Sequence, residues 1–148
     1  MSQTDNPDWL AVGLSTALKA ALMSALSSYE NAEPEDILDT DRKGAASIRL
    51  LLRRASSTDY LSDDHRLPLT SSKRRAILRL VELRNQTLHI LSEADVPEAS
   101  EVGRLALVSV DAVEHLMLTA PAFETKPYAV DLALIADYVK VLRDRMEA

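Results

Sequence analysis

The 148-residue chain contains no cysteine, which excludes a disulfide framework, a thiolate zinc site and a thiol nucleophile, and points to a reducing compartment, the cytoplasm. Glycine is scarce at three residues, and no phosphate-cradling glycine loop is present. No uninterrupted apolar run has the length expected of a bilayer span. The N-terminus, Met1-Ser2-Gln3-Thr4-Asp5-Asn6-Pro7-Asp8, is polar and acidic without a basic region leading into an apolar one, so no signal peptide is expected. No repeat and no inter-domain linker stand out. What remains is a chain with 47% hydrophobic residues, rich in the strong helix formers leucine and alanine. The expectation is one all-α domain over residues 1–148, an antiparallel bundle of four to five helices with residues 1–6 as a flexible tail.

A net charge of −6 argues against nucleic acid as a partner, because phosphate contacts need lysine and arginine. The distribution along the chain argues differently. Between Arg42 and Arg84 there are eleven basic and four acidic residues, whereas the remainder holds six basic and nineteen acidic ones. Basic residues on helix faces in this stretch, Arg49, Arg53, Arg54, Lys73, Arg74, Arg75 and Arg79, are candidates for guiding RNA. The alternative is that they are solvated or paired with carboxylates of neighbouring helices.

Helical periodicity places the elements. A first helix runs from about Pro7 to Ala32, with Asn6 as cap and a buried stripe of Leu10, Leu14, Leu18, Leu22 and Leu26. After Glu33-Pro34-Glu35 a second helical region has its main part at Ala45–Ser57, burying Ile48, Leu51 and Leu52 and exposing Arg49, Arg53 and Arg54. Residues Ser56–Ser72 shift to Ser, Thr, Asp and Pro, the composition of a surface loop. A third helix covers Lys73 to about Ala94 with Ile77, Leu80, Val81, Leu83, Leu88 and Leu91 inward. Pro97 opens a fourth, whose broad band of Leu105, Val108, Val110, Val113, Leu116 and Met117 suggests burial on more than one side. A last helix, about Tyr128–Met146, is expected to turn Val130, Leu134, Tyr138, Val141 and Leu142 inward.

Without thiols or metal cages, the simplest chemistry left is a histidine near neutral pKa working with a fixed cation. His65 lies in an acidic loop and His115 beside Glu114, neither in a motif. No two histidines stand at metal-ligand spacing on one helix, so neither metal nor cofactor is expected. No nucleophile elbow accompanies the serines. His89 differs: it follows Arg84 by five residues and Asn85 by four, inside a strongly apolar helix.

The stretch Glu82-Leu83-Arg84-Asn85-Gln86-Thr87-Leu88-His89 resembles the signature of HEPN domains. In these helical bundles an arginine, a polar residue, three further residues and a histidine sit on a late helix. A long Ala- and Leu-rich first helix, a variable middle, the motif helix and a final helix pair extend the resemblance over most of the chain. Ile90 and Leu91 depart from it, since family members often carry a small or polar residue after the histidine. The resemblance implies a metal-independent endoribonuclease, of the kind found in toxin–antitoxin and antiviral systems. His89 would be the general acid or base at the ribose 2′-hydroxyl, Arg84 the stabiliser of phosphate charge, and Asn85 the orienting group. Five helical residues turn His89 roughly 140° away from Arg84. The two-fold dimer that the resemblance implies would pool both copies in one cleft. The partners implied are a second copy, RNA and a cognate antitoxin or regulatory protein, with no membrane. The alternative reading is a non-catalytic dimerisation or adaptor module, which would show the same periodicity.

Overall fold

The computed structural model describes residues 7–29, 32–39, 44–88 and 99–147. They form an all-α bundle: α1 (Pro7–Ser28), α2 (Ile48–Ala55), α3 (Ser71–Leu88), α4 (Ala99–Glu114) and α5 (Ala129–Glu147). Leu38–Asp39 (β1) and Gly44–Ala45 (β2) pair antiparallel as a minimal ribbon before α2.

The hydrophobic interior is built around α1. Leu14, Leu18, Leu22 and Leu26 are all buried, together with Ala11, Ala21 and Ala25; the spacing alternates four and three residues, as one helix face requires. Helices α2, α3 and α4 pack around this face. By length and composition α1 could cross a bilayer, since residues 11–28 have a mean hydropathy of 1.2; the structure instead spends its leucines on the bundle core. Helix α1 ends at Ser28 rather than Ala32. The next turn, Pro34–Ile37, is held by Asp36, whose carboxylate accepts from the Glu33 amide at 3.1 Å and from the Tyr29 hydroxyl.

Helix α2 is shorter than its periodicity suggests, eight residues capped by Ser47, whose hydroxyl accepts from the Leu50 amide. Ile48, Leu51 and Leu52 are buried as expected. Arg54 is not exposed as expected. Its Nη1 donates to the carbonyls of Asp36 (2.7 Å), Leu38 (2.9 Å) and Glu35 (3.3 Å), and its guanidinium lies 5.8 Å from the Tyr60 ring centre. One side chain thus ties the 34–38 segment to α2 and to the following loop.

That loop is more than a surface connection. Leu61 and Leu67 are buried in the main core, and the Leu67 amide donates to Ala55 at 2.9 Å. Opposite it, α4 continues into a π-helical turn, His115–Thr119, in which the Ala120 amide bonds the His115 carbonyl at 2.9 Å. Pro97, the expected start of the fourth helix, lies outside the described residues.

Helix α5 overturns an expectation. Only Val139 is fully buried, with Ile135, Leu142 and Met146 packed behind it. Val130 (76% exposed), Leu134 (62%), Tyr138 (68%) and Val141 (51%) face solvent. The helix carries two neighbouring apolar stripes, roughly 115° apart at 100° per residue, and α4 is its main neighbour, so one stripe is left over. Arg143 pins it to α4, reaching Asp111 at 2.5 Å and Glu114 at 3.2 Å.

Candidate functional site

Arg84 and Asn85 sit near the C-terminal end of α3. Arg84 is half-buried; its Nε and Nη2 both donate to Asn85 Oδ1, at 3.1 and 2.8 Å. The amide oxygen is thereby occupied. Among the described residues no carboxylate pairs with Arg84. Its guanidinium is held in place by the contact with Asn85. His89, the expected acid–base group, lies outside the described residues, and so do Arg42 and the segment that follows α3.

The other basic candidates divide into two groups. Arg49 and Arg53 are exposed one turn apart on α2, and Lys73 and Arg75 are exposed on α3. Arg54 is spent on the three carbonyls described above. Arg74 donates to the Ser56 hydroxyl at 3.0 Å. Arg79 reaches Glu82 at 3.2 Å and Glu101 at 3.6 Å; the hydrogen bond to Glu82 raises its pKa further, against the opposing effect of partial burial. Lys73 borders a cleft that also contains Asp111, Glu114 and His115. Three of the seven candidates, Arg54, Arg74 and Arg79, thus work as braces. The Arg79–Glu101 bridge joins α3 to α4, on which Arg104 is exposed.

Two histidines outside the motif have structural work. His65 Nδ1–H donates to the Ala120 carbonyl at 3.2 Å, and His115 Nε2–H donates to Arg66 at 2.8 Å and His65 at 3.3 Å. The pair latches the loop before α3 to the π turn after α4, fifty residues away in sequence. Among the described residues no group of three or more His, Cys, Asp or Glu is placed to hold a metal ion.

The second feature with functional content is apolar. Between α1 and α5 lies an open groove of about 270 Å³, floored by Val110 and Val113 and walled by Ala17 and Ala20 on one side and Ile135 and Tyr138 on the other. Among the described residues, no charged side chain lines it. Tyr138 belongs both to the groove and to the outward stripe of α5, so the two form one continuous apolar surface. Nothing in the sequence distinguishes this surface from a core-facing stripe.

Comparison of the chain with protein-family models, with curated proteins and with solved structures finds no match.

Proposed function

We propose that this chain is a helical interaction module that binds protein through the outward face of α5. The observation that carries this reading is the solvent-facing stripe of Val130, Leu134, Tyr138 and Val141. Burying one such side chain is worth about 1.5–3 kcal/mol. Four of them in line, beside an apolar groove, make a contiguous patch of the kind that marks a binding surface rather than the scattered apolar residues of an ordinary exterior. The cytoplasm is the compartment that suits a chain without cysteine. The test is the native mass in a fresh extract at the protein's own expression level. A complex well above 16.3 kDa that collapses to the bare chain on Leu134→Asp supports the reading, and wild type migrating as a bare monomer refutes it.

A second reading is favoured by the Arg84–Asn85 contact, in which the guanidinium donates twice to the amide oxygen. In it the chain is a HEPN-type endoribonuclease in which Arg84 and the Asn85 amide hold a phosphate and His89 moves the proton at the 2′-hydroxyl. RNA, a second copy and an antitoxin-like regulator are its partners. Purified wild type should then cleave RNA in the presence of EDTA, leaving 2′,3′-cyclic phosphate ends, while Arg84→Ala and His89→Ala keep the helical signal and lose the activity. DNA, which lacks the 2′-hydroxyl, should resist. Equal RNA cleavage by wild type and both variants would eliminate this reading.

A further inference from the structure

We propose that the trough between α1 and α5 binds a lipophilic cation, its alkyl chain lying along the apolar length and its ammonium head seated at Asp131. The site is distinct from the outward stripe of α5, with which it shares only the border residue Tyr138.

The groove between α1 and α5 continues beyond Ser24. A second cavity of about 280 Å³ shares Ser24, Met117 and Ile135 with it and extends past Ser28 on α1 and Leu132 on α5. On the α1 side, Leu14, Ala17, Ala21, Ser24 and Ser28 recur at steps of three and four, so they form one helical stripe. On α5, Leu142, Val139, Ile135 and Asp131 do the same in the opposite direction. From Leu14 to Ser28 the stripe runs about 21 Å. Helix α5 packs chiefly on α4, and between Leu14 and Ser28 the α1 wall is alanine and serine, whose short side chains leave room between the two helices. A long, narrow slot of this kind suits an extended chain better than a compact ligand.

The two ends of the slot differ in chemistry. Toward Leu14 and Leu142 the lining is aliphatic. At the other end Phe123, Tyr128 and the hydroxyls of Ser24 and Ser28 stand around Asp131, which among the described residues is the one charged side chain of the lining. Phe123 and Tyr128 meet edge to face with ring centres 6.0 Å apart, and this contact holds the exposed Tyr128 ring at the cavity. A ring face attracts an ammonium through its quadrupole, and the carboxylate attracts it through its charge; an anionic head would be repelled by both. Among the described residues no lysine or arginine pairs with Asp131. Asp131 also lies in the first turn of α5, where its charge suits the helix dipole. That role needs no ligand, and a ligand titration separates the two.

The experiment is calorimetric titration of the purified full chain with decyltrimethylammonium and with decyldimethylamine oxide, the same tail under an uncharged head of similar size. A ligand of this size should bind wild type with a Kd on the order of a millimolar or tighter, the cation roughly five- to tenfold more tightly than the oxide. Asp131→Asn should weaken the cation about three- to fivefold and leave the oxide within about twofold. Tyr128→Leu, which keeps an apolar side chain and removes the ring, should weaken the cation about two- to fivefold. Asp137→Asn, which removes the same charge from an exposed position of α5 outside the lining, should leave the preference intact. Ala17→Phe, at an exposed position on the trough wall, should abolish binding of both probes with the helical signal unchanged.

Equal affinity for the two probes overturns the cationic head, as does an effect of Asp137→Asn as large as that of Asp131→Asn, which would reduce the preference to net charge. Unchanged cation affinity in both Asp131→Asn and Tyr128→Leu overturns the placement of the head. Undiminished binding by Ala17→Phe, or no saturable binding of either probe by about 10 mM, overturns the site itself. None of these results depends on whether a protein docks on the outward face of α5.

Discussion

Arg54→Ala tests whether a residue that the sequence presents as a surface cation is a structural brace. Its Nη1 meets three carbonyl oxygens, at 2.7, 2.9 and 3.3 Å. That nitrogen carries two protons, so the three contacts amount to fewer than three full bonds, and the carbonyls of Glu35 and Leu38 sit on exposed residues that can take water after truncation. One charged hydrogen bond at about 1.5–3 kcal/mol, with a cation–π contact to Tyr60 of about 0.5–1 kcal/mol, gives a net loss of roughly 2–4 kcal/mol. For a domain of this size that lowers Tm by roughly 4–16 °C. Arg53→Ala, one residue earlier on the exposed face of α2, should change stability by less than about 0.5 kcal/mol. Urea unfolding followed by circular dichroism measures both. If the two variants lose the same stability, or neither loses any, the contacts of Arg54 are incidental and the assignment fails.

Burial, with the hydrogen bond and the charge of Asp36 added to it, pushes the Tyr29 hydroxyl well above its ordinary pKa of 10.0. The folded state therefore holds this proton more tightly than the unfolded one, so the stability it contributes is complete below about pH 10 and declines as pH rises further. Tyr29→Phe should flatten that alkaline decline in urea midpoints, and an unchanged slope would count against the coupling. His65→Ala and His115→Ala should each cost about 1–2 kcal/mol, with the double variant costing less than the sum because the two bonds close one latch; strict additivity would mean that they act independently. Leu22→Ala, at a fully buried position facing the core, should cost about 2–5 kcal/mol by urea unfolding, and a loss under 1 kcal/mol would contradict the placement of α1 at the centre of the bundle.

The leucine stripe of α1 was legible because its large apolar side chains, Leu14, Leu18, Leu22 and Leu26, recur on one face while alanine, serine and threonine fill much of the rest. Helix α5 was not, and the reason is specific: Val130, Leu134, Tyr138 and Val141 satisfy a helical period, and so do Ile135, Val139, Leu142 and Met146. Periodicity reports that a face is apolar but not whether the fold supplies a neighbour for it. Arg54 failed for a related reason, since its acceptors are backbone carbonyls, which leave no trace in residue type. The loop before α3 looked solvated from its Ser, Thr and Asp content, yet Leu61 and Leu67, two residues in a polar stretch, suffice to anchor it. Of the motif, the Arg84–Asn85 contact joins adjacent residues and needs no tertiary partner. Whether two copies of the motif meet depends on an interface that spacing alone does not encode.

The π turn at His115–Thr119 makes the length of this chain part of its design. Such a turn holds one residue more than the α-helical turn it replaces, so a chain of the same architecture with regular α-helix there would be one residue shorter at this point. Deleting a single residue between Leu116 and Thr119 should therefore be absorbed by tightening the turn, whereas a deletion of the same size within α4 would rotate everything beyond it by about 100°. Ala120 would also move away from His65. When distant relatives of this sequence are aligned, a one-position gap is expected to fall here rather than in the loops.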